Sequence, residues 1–206
     1  MVTVESYKKG IVMRALVLLF FSFIVSASGA DFKSLKVVEA VPDFTLKNYD
    51  GKEYSLQSLL KENKMVVVMF ISTQCPVSNG YNERMVKLNE QYSKKGIRFV
   101  GINANVKETV GDIAEHSKSH GFLFPVLKDE QNKIADAYGA QVTPETFIIN
   151  QETKLVYHGR IDDSRNIEKV QSSDLALALD ALLGGKQPPK TETKAFGCSI
   201  KRAVAD

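Results

Sequence analysis

Residues 65–71, MVVVMFI, form an unbroken apolar run rich in β-branched side chains and bounded by polar residues. A run of that length and type predicts a strand buried on both faces. Beyond it the period changes. Val77, Tyr81, Met85, Leu88 and Tyr92 recur every three or four positions, tracing one apolar face of a helix that Gly96 is suited to end. Cys75 stands where the strand gives way to the helix.

The flanking pattern fills in the rest. FTLKNYDGKEYSL, residues 44–56, reads as two short strands joined at Asp50–Gly51, a strong hairpin signal. Leu56, Leu59 and Leu60 predict a short helix after it. IRFVGIN, residues 97–103, predicts the next strand. Val110, Ile113 and Ala114 belong to a second helix ending near Gly121. FPVLKD, residues 124–129, holds a short extended piece, and Ile134 and Tyr138 mark a helix stopped by Gly139. TFIIN (146–150) and LVYHGRI (155–161) read as paired strands. Ser173 is placed to cap a last helix that turns Leu175, Leu179, Leu182 and Leu183 inward and stops at Gly184. The order is a hairpin, then βαβα, then ββα, an α/β protein whose sheet is parallel in part and carries an antiparallel edge.

Two segments lie outside this pattern. ALVLLFFSFIV, residues 15–25, follows Lys8, Lys9 and Arg14 and precedes the small residues SASGA at 26–30. That is the layout of a secretory signal peptide, with cleavage expected after Ala30. Met13 is an alternative start. The run is shorter than the roughly twenty residues a membrane span needs, so an uncleaved anchor is the less favoured alternative. At the other end, GGKQPPKTETK, residues 184–194, has the composition of an extended tail, but AFGCSI, residues 195–200, is apolar again and carries the second cysteine.

Composition narrows the function. With 44% hydrophobic residues in 206 the chain can bury a core without metal or disulfide. The net charge of +3 falls to about +1 without the leader. No basic tract carries interleaved aromatics, so nucleic acid is not an expected partner. The export that the leader predicts, to a periplasmic or extracellular space, allows the two cysteines to form one internal pair.

Cys75 opens TQCPVS, and Ser78 stands where a Cys-x-x-Cys motif would put its second thiol. At a helix start the unpaired N–H groups and the positive end of the dipole stabilise a thiolate. The plain alternative is a small buried hydrophobe. Ser78 cannot resolve a mixed disulfide, though its hydroxyl is placed to hydrogen-bond the thiolate. The missing second thiol is expected to be Cys198. The fourteen residues from Gly184 to Cys198 span up to roughly 46 Å, against a domain radius of gyration of about 16 Å. Ala195, Phe196 and Ile200 are expected to dock the tail beside Cys75. A merely buried Cys198, or one paired with another molecule, stays open, since spacing does not fix connectivity.

The stretches VVVMFISTQCPVS, GIRFVGINAN, FPVLKD, YGAQVTPETFIIN and LVYHGRIDD together resemble the thioredoxin-like superfamily, on its redoxin and peroxiredoxin-like branch, from about Val41 to Leu183. Cys-Pro-Val at the helix start, RIDD at 160–163 and the terminal TKAFGCSIK are similar to a narrower peroxiredoxin-like group of undefined activity. The resemblance implies a central mixed sheet flanked by helices, with an N-terminal β-hairpin and an extended C-terminal tail. It implies a cis bond at Thr143–Pro144, with the Thr143 backbone offered to an incoming extended chain. The expected organisation is a leader over 1–30, a redoxin domain over 31–184 and a tail over 185–206.

Departures from better-known relatives bear on the chemistry. The peroxiredoxin pattern Pro-x-x-x-Thr-x-x-Cys meets Val68 and Ser72 here, and the tryptophan of glutathione peroxidases has no counterpart. Copper-carrying relatives pair two cysteines, but the positions four before and four after Cys75 are Ile71 and Asn79. His158 reads as an exposed strand residue, and His116 and His120 as a solvated helix face. Arg160 is expected to pair with Asp162 or Asp163, one of which turns the chain. The leading expectation is an extracytoplasmic thiol–disulfide oxidoreductase. Cys75 is its nucleophile, Cys198 its resolving thiol, and Ser78, Thr143 and Pro144 complete the site. Its partners are a protein or small-molecule disulfide and a reducing thiol, with no bound cofactor or metal and with membrane contact only through an uncleaved leader. A thiol peroxidase is the alternative, and a copper-binding module built on Cys75, Cys198 and His158 is a third.

Overall fold

The computed structural model of the chain describes residues 35–203. The expected leader lies outside the described residues. The chain forms strands β1 (Thr45–Asn48) and β2 (Glu53–Ser55), helix α1 (Leu56–Glu62), β3 (Met65–Phe70), α2 (Pro76–Asn79), α3 (Asn82–Ser93), β4 (Ile97–Asn103) and α4 (Val110–Ser119). β5 (Val126–Lys128), α5 (Lys133–Tyr138), β6 (Val142–Thr143), β7 (Glu145–Asn150), β8 (Leu155–Gly159), α6 (Asp174–Leu183) and β9 (Cys198–Ser199) follow.

Seven strands make one mixed sheet in the order β2-β1-β5-β4-β3-β7-β8. β3, β4 and β5 are parallel, whereas β1, β7 and β8 run antiparallel to their neighbours. β3 sits between β4 and β7, and all six of its side chains are buried. Alternation splits them between two cores. Val66, Val68 and Phe70 join Leu56, Leu60 and Tyr138 from α1 and α5 on one face. Val67 and Met69 join Met85, Tyr92, Leu175 and Leu179 from α3 and α6 on the other. Each such aliphatic side chain contributes roughly 1.5–3 kcal/mol through burial. This is the thioredoxin-like arrangement that the resemblance implies.

Two local expectations need correction. The helix after Cys75 is broken into α2 and α3 at Gly80–Tyr81. Gly80 is a weak helix former, and its carbonyl accepts from the Arg84 guanidinium at 3.0 Å. Ser173 stands at the N-cap of α6 but makes no side-chain cap bond. Ser172 Oγ bonds the Asp174 carboxylate instead, at 2.7 Å.

The tail is more firmly held than its composition suggests. Thr191 O accepts from His158 N and Thr193 N donates to His158 O, both at 3.0 Å, so residues 191–193 bind the edge of β8. β9 then pairs antiparallel with β6, setting Cys198 opposite Thr143. Beyond it Lys201 O accepts from Val106 N at 3.0 Å, and Arg202 pairs with Asp136 at 2.8 Å. Among the described residues no helix is long and apolar enough to cross a membrane.

Candidate active site

Cys75 is the N-cap of α2, with Pro76 at the first helical position, where its missing N–H costs nothing. Its sulfur is bonded to Cys198 in a disulfide, with the Cα atoms 6.0 Å apart. Cys75 is 4% exposed, whereas Cys198 is half-buried. The Ser78 backbone N–H donates to Cys75 Sγ at 3.3 Å. The Ser78 hydroxyl bonds elsewhere in the disulfide form. It accepts from Ser72 N at 3.2 Å and so braces the loop. Thr143 O lies 3.4 Å from Cys75 Sγ, and the Thr143–Pro144 peptide bond is cis. The structure therefore brings Cys75, Cys198, Ser78, Thr143 and Pro144 together.

Two buried carboxylates hold this arrangement, and neither stood out in the sequence. Glu108, on the loop after β4, accepts from Ser72 Oγ (2.5 Å), Thr73 N (2.6 Å), Thr73 Oγ1 (2.8 Å), Asn103 Nδ2 (2.5 Å) and Asn105 Nδ2 (2.9 Å). Burial pushes its carboxyl up, but the bonds from Ser72, Thr73 and Asn103 outweigh that and hold it below its ordinary value. Ser72 Oγ in turn accepts from Gln74 N and Cys75 N, at 3.2 and 3.0 Å. Glu145 serves the opposite side. One oxygen accepts from Gln141 N at 2.7 Å and Val142 N at 3.1 Å, fixing the backbone of β6. The other meets His158 Nε2 at 2.6 Å. Asn103 and Asn105 at the end of a buried strand were the available signal for the first cluster. For Glu145 there was none beyond its place after Pro144.

The histidines and the RIDD segment differ from expectation. His158 is buried, stacked on Phe147 at 4.4 Å and engaged with Glu145. Its backbone is paired with Thr191 and Thr193 of the tail. Its Nε2 is engaged by the Glu145 carboxylate, and among the described residues its hydrogen bonds to Glu145, Thr191 and Thr193 do not reach Cys75 or Cys198. His116 is half-buried, with Nε2 between Asn79 Oδ1 at 3.0 Å and Asn82 Nδ2 at 3.2 Å, while His120 remains exposed. Arg160 pairs with Asp174 at 2.6 Å. Asp162 takes Arg84 at 2.6 Å and Tyr81 OH at 3.0 Å, which ties the start of α3 to the loop after β8. Asp163 turns the chain by accepting from Gln171 N at 2.9 Å.

Known proteins resemble this chain in sequence and in fold. Residues 37–158 match the AhpC/TSA family. The thiol-disulfide oxidoreductase ResA of Bacillus subtilis is 30% identical over 135 residues, 65% of this chain and 72% of ResA. A hypothetical protein of Sinorhizobium meliloti of known structure is 34% identical with a TM-score of 0.78, covering 84% of this chain and 98% of that one. A putative thiol:disulfide interchange protein DsbE from Chlorobium tepidum, 22% identical with a TM-score of 0.55 over 61% of this chain and 85% of its own, shares the fold. With the match extending over more than half its length, the chain belongs to the AhpC/TSA family.

Proposed function

We propose that the protein is an extracytoplasmic thiol–disulfide oxidoreductase in which Cys75 and Cys198 are the redox pair. The observation that carries this reading is the disulfide between a cysteine at a helix N-cap and one on a strand paired with the Thr143–Pro144 loop. Kinship with ResA supports the reaction class. The leader composition of residues 1–30 supports the location.

In the reduced protein the Cys75 thiolate attacks one sulfur of a substrate disulfide. A Cys75–substrate bond forms and the other substrate sulfur leaves with the electron pair. Cys198 then attacks Cys75 Sγ, releases the substrate thiolate and closes the internal bond. Regeneration runs through the more exposed sulfur. A reductant thiolate attacks Cys198 and expels Cys75, whose developing charge meets the Ser78 N–H. A second reductant thiolate then attacks the reductant sulfur bound to Cys198, the two reductant sulfurs form a disulfide, and Cys198 leaves as a thiolate that takes up a proton. The partners are therefore a disulfide substrate and a dithiol or paired monothiols.

The peroxidase reading draws on the family match, but the geometry favours it less. Ser72, at the position of the peroxiredoxin threonine, spends its hydroxyl on Glu108 and on the backbone N–H groups of Gln74 and Cys75. Parallel rate measurements on reduced protein, with a peptide disulfide and with hydrogen peroxide, test the proposal. Disulfide exchange faster than that of a free thiol, with peroxide oxidation no faster, is the expected pattern. The reverse pattern overturns it.

A further inference from the structure

The tail covers the edge at which a substrate must react, so its side chains record what that edge accepts. We infer that the polypeptide substrates of Cys75 present their cysteine in an extended segment with glycine immediately before it and an aliphatic residue two positions after it. This deepens the proposed function and rests on Cys75 being the nucleophile.

Cys198, joined to Cys75, lies opposite Thr143 on β6, and a partner cysteine is assigned the same position. The preceding position is closed to side chains. A Cβ built on Gly197 would overlap the carbonyl of Thr143 and press on Pro144 N. The following position, Ser199, is exposed and accepts any side chain. Two positions on, Ile200 is 5% exposed and belongs to the apolar cluster of Phe70, Ala104, Tyr138 and Ala140. Its N–H donates to Gln141 O at 2.9 Å, so the backbone register is fixed while the side chain is buried. Phe196 meets Tyr81 edge to face at 6.4 Å, adding a weaker preference for an aromatic residue two before the cysteine. Glu145 holds the Gln141 and Val142 N–H groups and so keeps this edge in shape whatever segment lies on it. Because the tail fills the edge in cis, the occupant in turnover is another polypeptide that enters once the internal disulfide is reduced.

The test uses the full-length Cys198→Ser protein, reduced, and peptides of the sequence KAFGCSIK whose cysteine carries a coloured aromatic thiol in disulfide linkage. The Cys75 thiolate attacks the peptide sulfur, the Cys75–peptide bond forms, and the aromatic thiolate leaves with the electron pair and is read by absorbance. Companion peptides replace the glycine by alanine or the isoleucine by serine, and rates are normalised to those with free cysteine. The tethered tail competes equally with all three, so ratios are preserved. If it closes the edge fully, Gly197→Ala in the same chain displaces it and the ratios are read there. The parent peptide is expected to react at least ~10-fold faster than either companion. Equal normalised rates overturn the inference while leaving Cys75 as nucleophile. A Cys75 inert to the symmetric aromatic disulfide as well overturns both. Disulfide-linked dimer as the main product of mildly reoxidised wild-type protein would make a second copy the occupant and overturn the assignment to another polypeptide.

Discussion

Ser72 Oγ donates to Glu108 Oε1 at 2.5 Å while accepting from Cys75 N at 3.0 Å, so one hydroxyl connects a buried carboxylate to the backbone of Cys75. Asn105 extends the connection to the tail, since it donates to the same carboxylate and accepts from Lys201 N at 2.7 Å. Glu108→Ala strands several buried donors at about 1–3 kcal/mol each. It is expected to destabilise the protein by at least ~3 kcal/mol and to slow closure of the Cys75–Cys198 bond. Urea unfolding and stopped-flow reoxidation check this. Unchanged values for both would remove Glu108 from its positioning role.

The same carboxylate predicts an acid dependence. Its folded-state value lies below the ordinary one, so its contribution is complete above the ordinary value of about 4.3 and is lost as pH falls through the folded value. Burial holds Asp129 above its ordinary value, and it works in the opposite sense. The comparison is therefore wild type against Glu108→Gln. The stability gap between them is expected to narrow below the ordinary value. A gap constant with pH would contradict the assignment.

Gly159→Ala tests the upper fastening of the tail. Gly159 has φ +148°, and a Cβ there would overlap Thr193. The variant is expected to lose ~1–3 kcal/mol and to become protease-sensitive between residues 185 and 197. Unaltered proteolysis would mean that the contact of Thr193 with β8 does not hold the tail.

The disulfide closes a sequence separation of 123 residues. Its reduction is expected to cost about 2–5 kcal/mol, and Cys198→Ser about the same without reductant. Urea midpoints with and without reductant measure this. Equal midpoints for the wild type would show that the disulfide adds no stability to the docked tail.

Most of the scaffold was readable because its signals are local. The run 65–71 is buried on both faces, and Gly51, at φ +83°, lies in the turn that joins β1 to β2. The Cys75–Cys198 pair was an expectation from their number and the reach of the tail, with its connectivity open until the disulfide appeared in the fold. What stayed hidden depends on partners distant in the chain. Glu108 is one acid in a polar loop until Ser72 and Thr73 are folded onto it. His158 looked exposed because its partner Glu145 and the covering Thr191 come from other segments. Arg160 passes over its sequence neighbours for Asp174 on α6. The break at Gly80 was missed because the apolar spacing continues across it unchanged.

The central claim, that Cys75 reacts first and Cys198 resolves it, is tested most directly by the stoichiometry of one reaction. Reduced wild-type protein treated with a symmetric aromatic disulfide is expected to release two equivalents of coloured thiolate and to end with an unlabelled Cys75–Cys198 bond. Cys198→Ser is expected to release one equivalent and to retain the label on Cys75. A wild-type protein that ends labelled on both cysteines, or a Cys198→Ser protein left unlabelled at Cys75, would contradict the account.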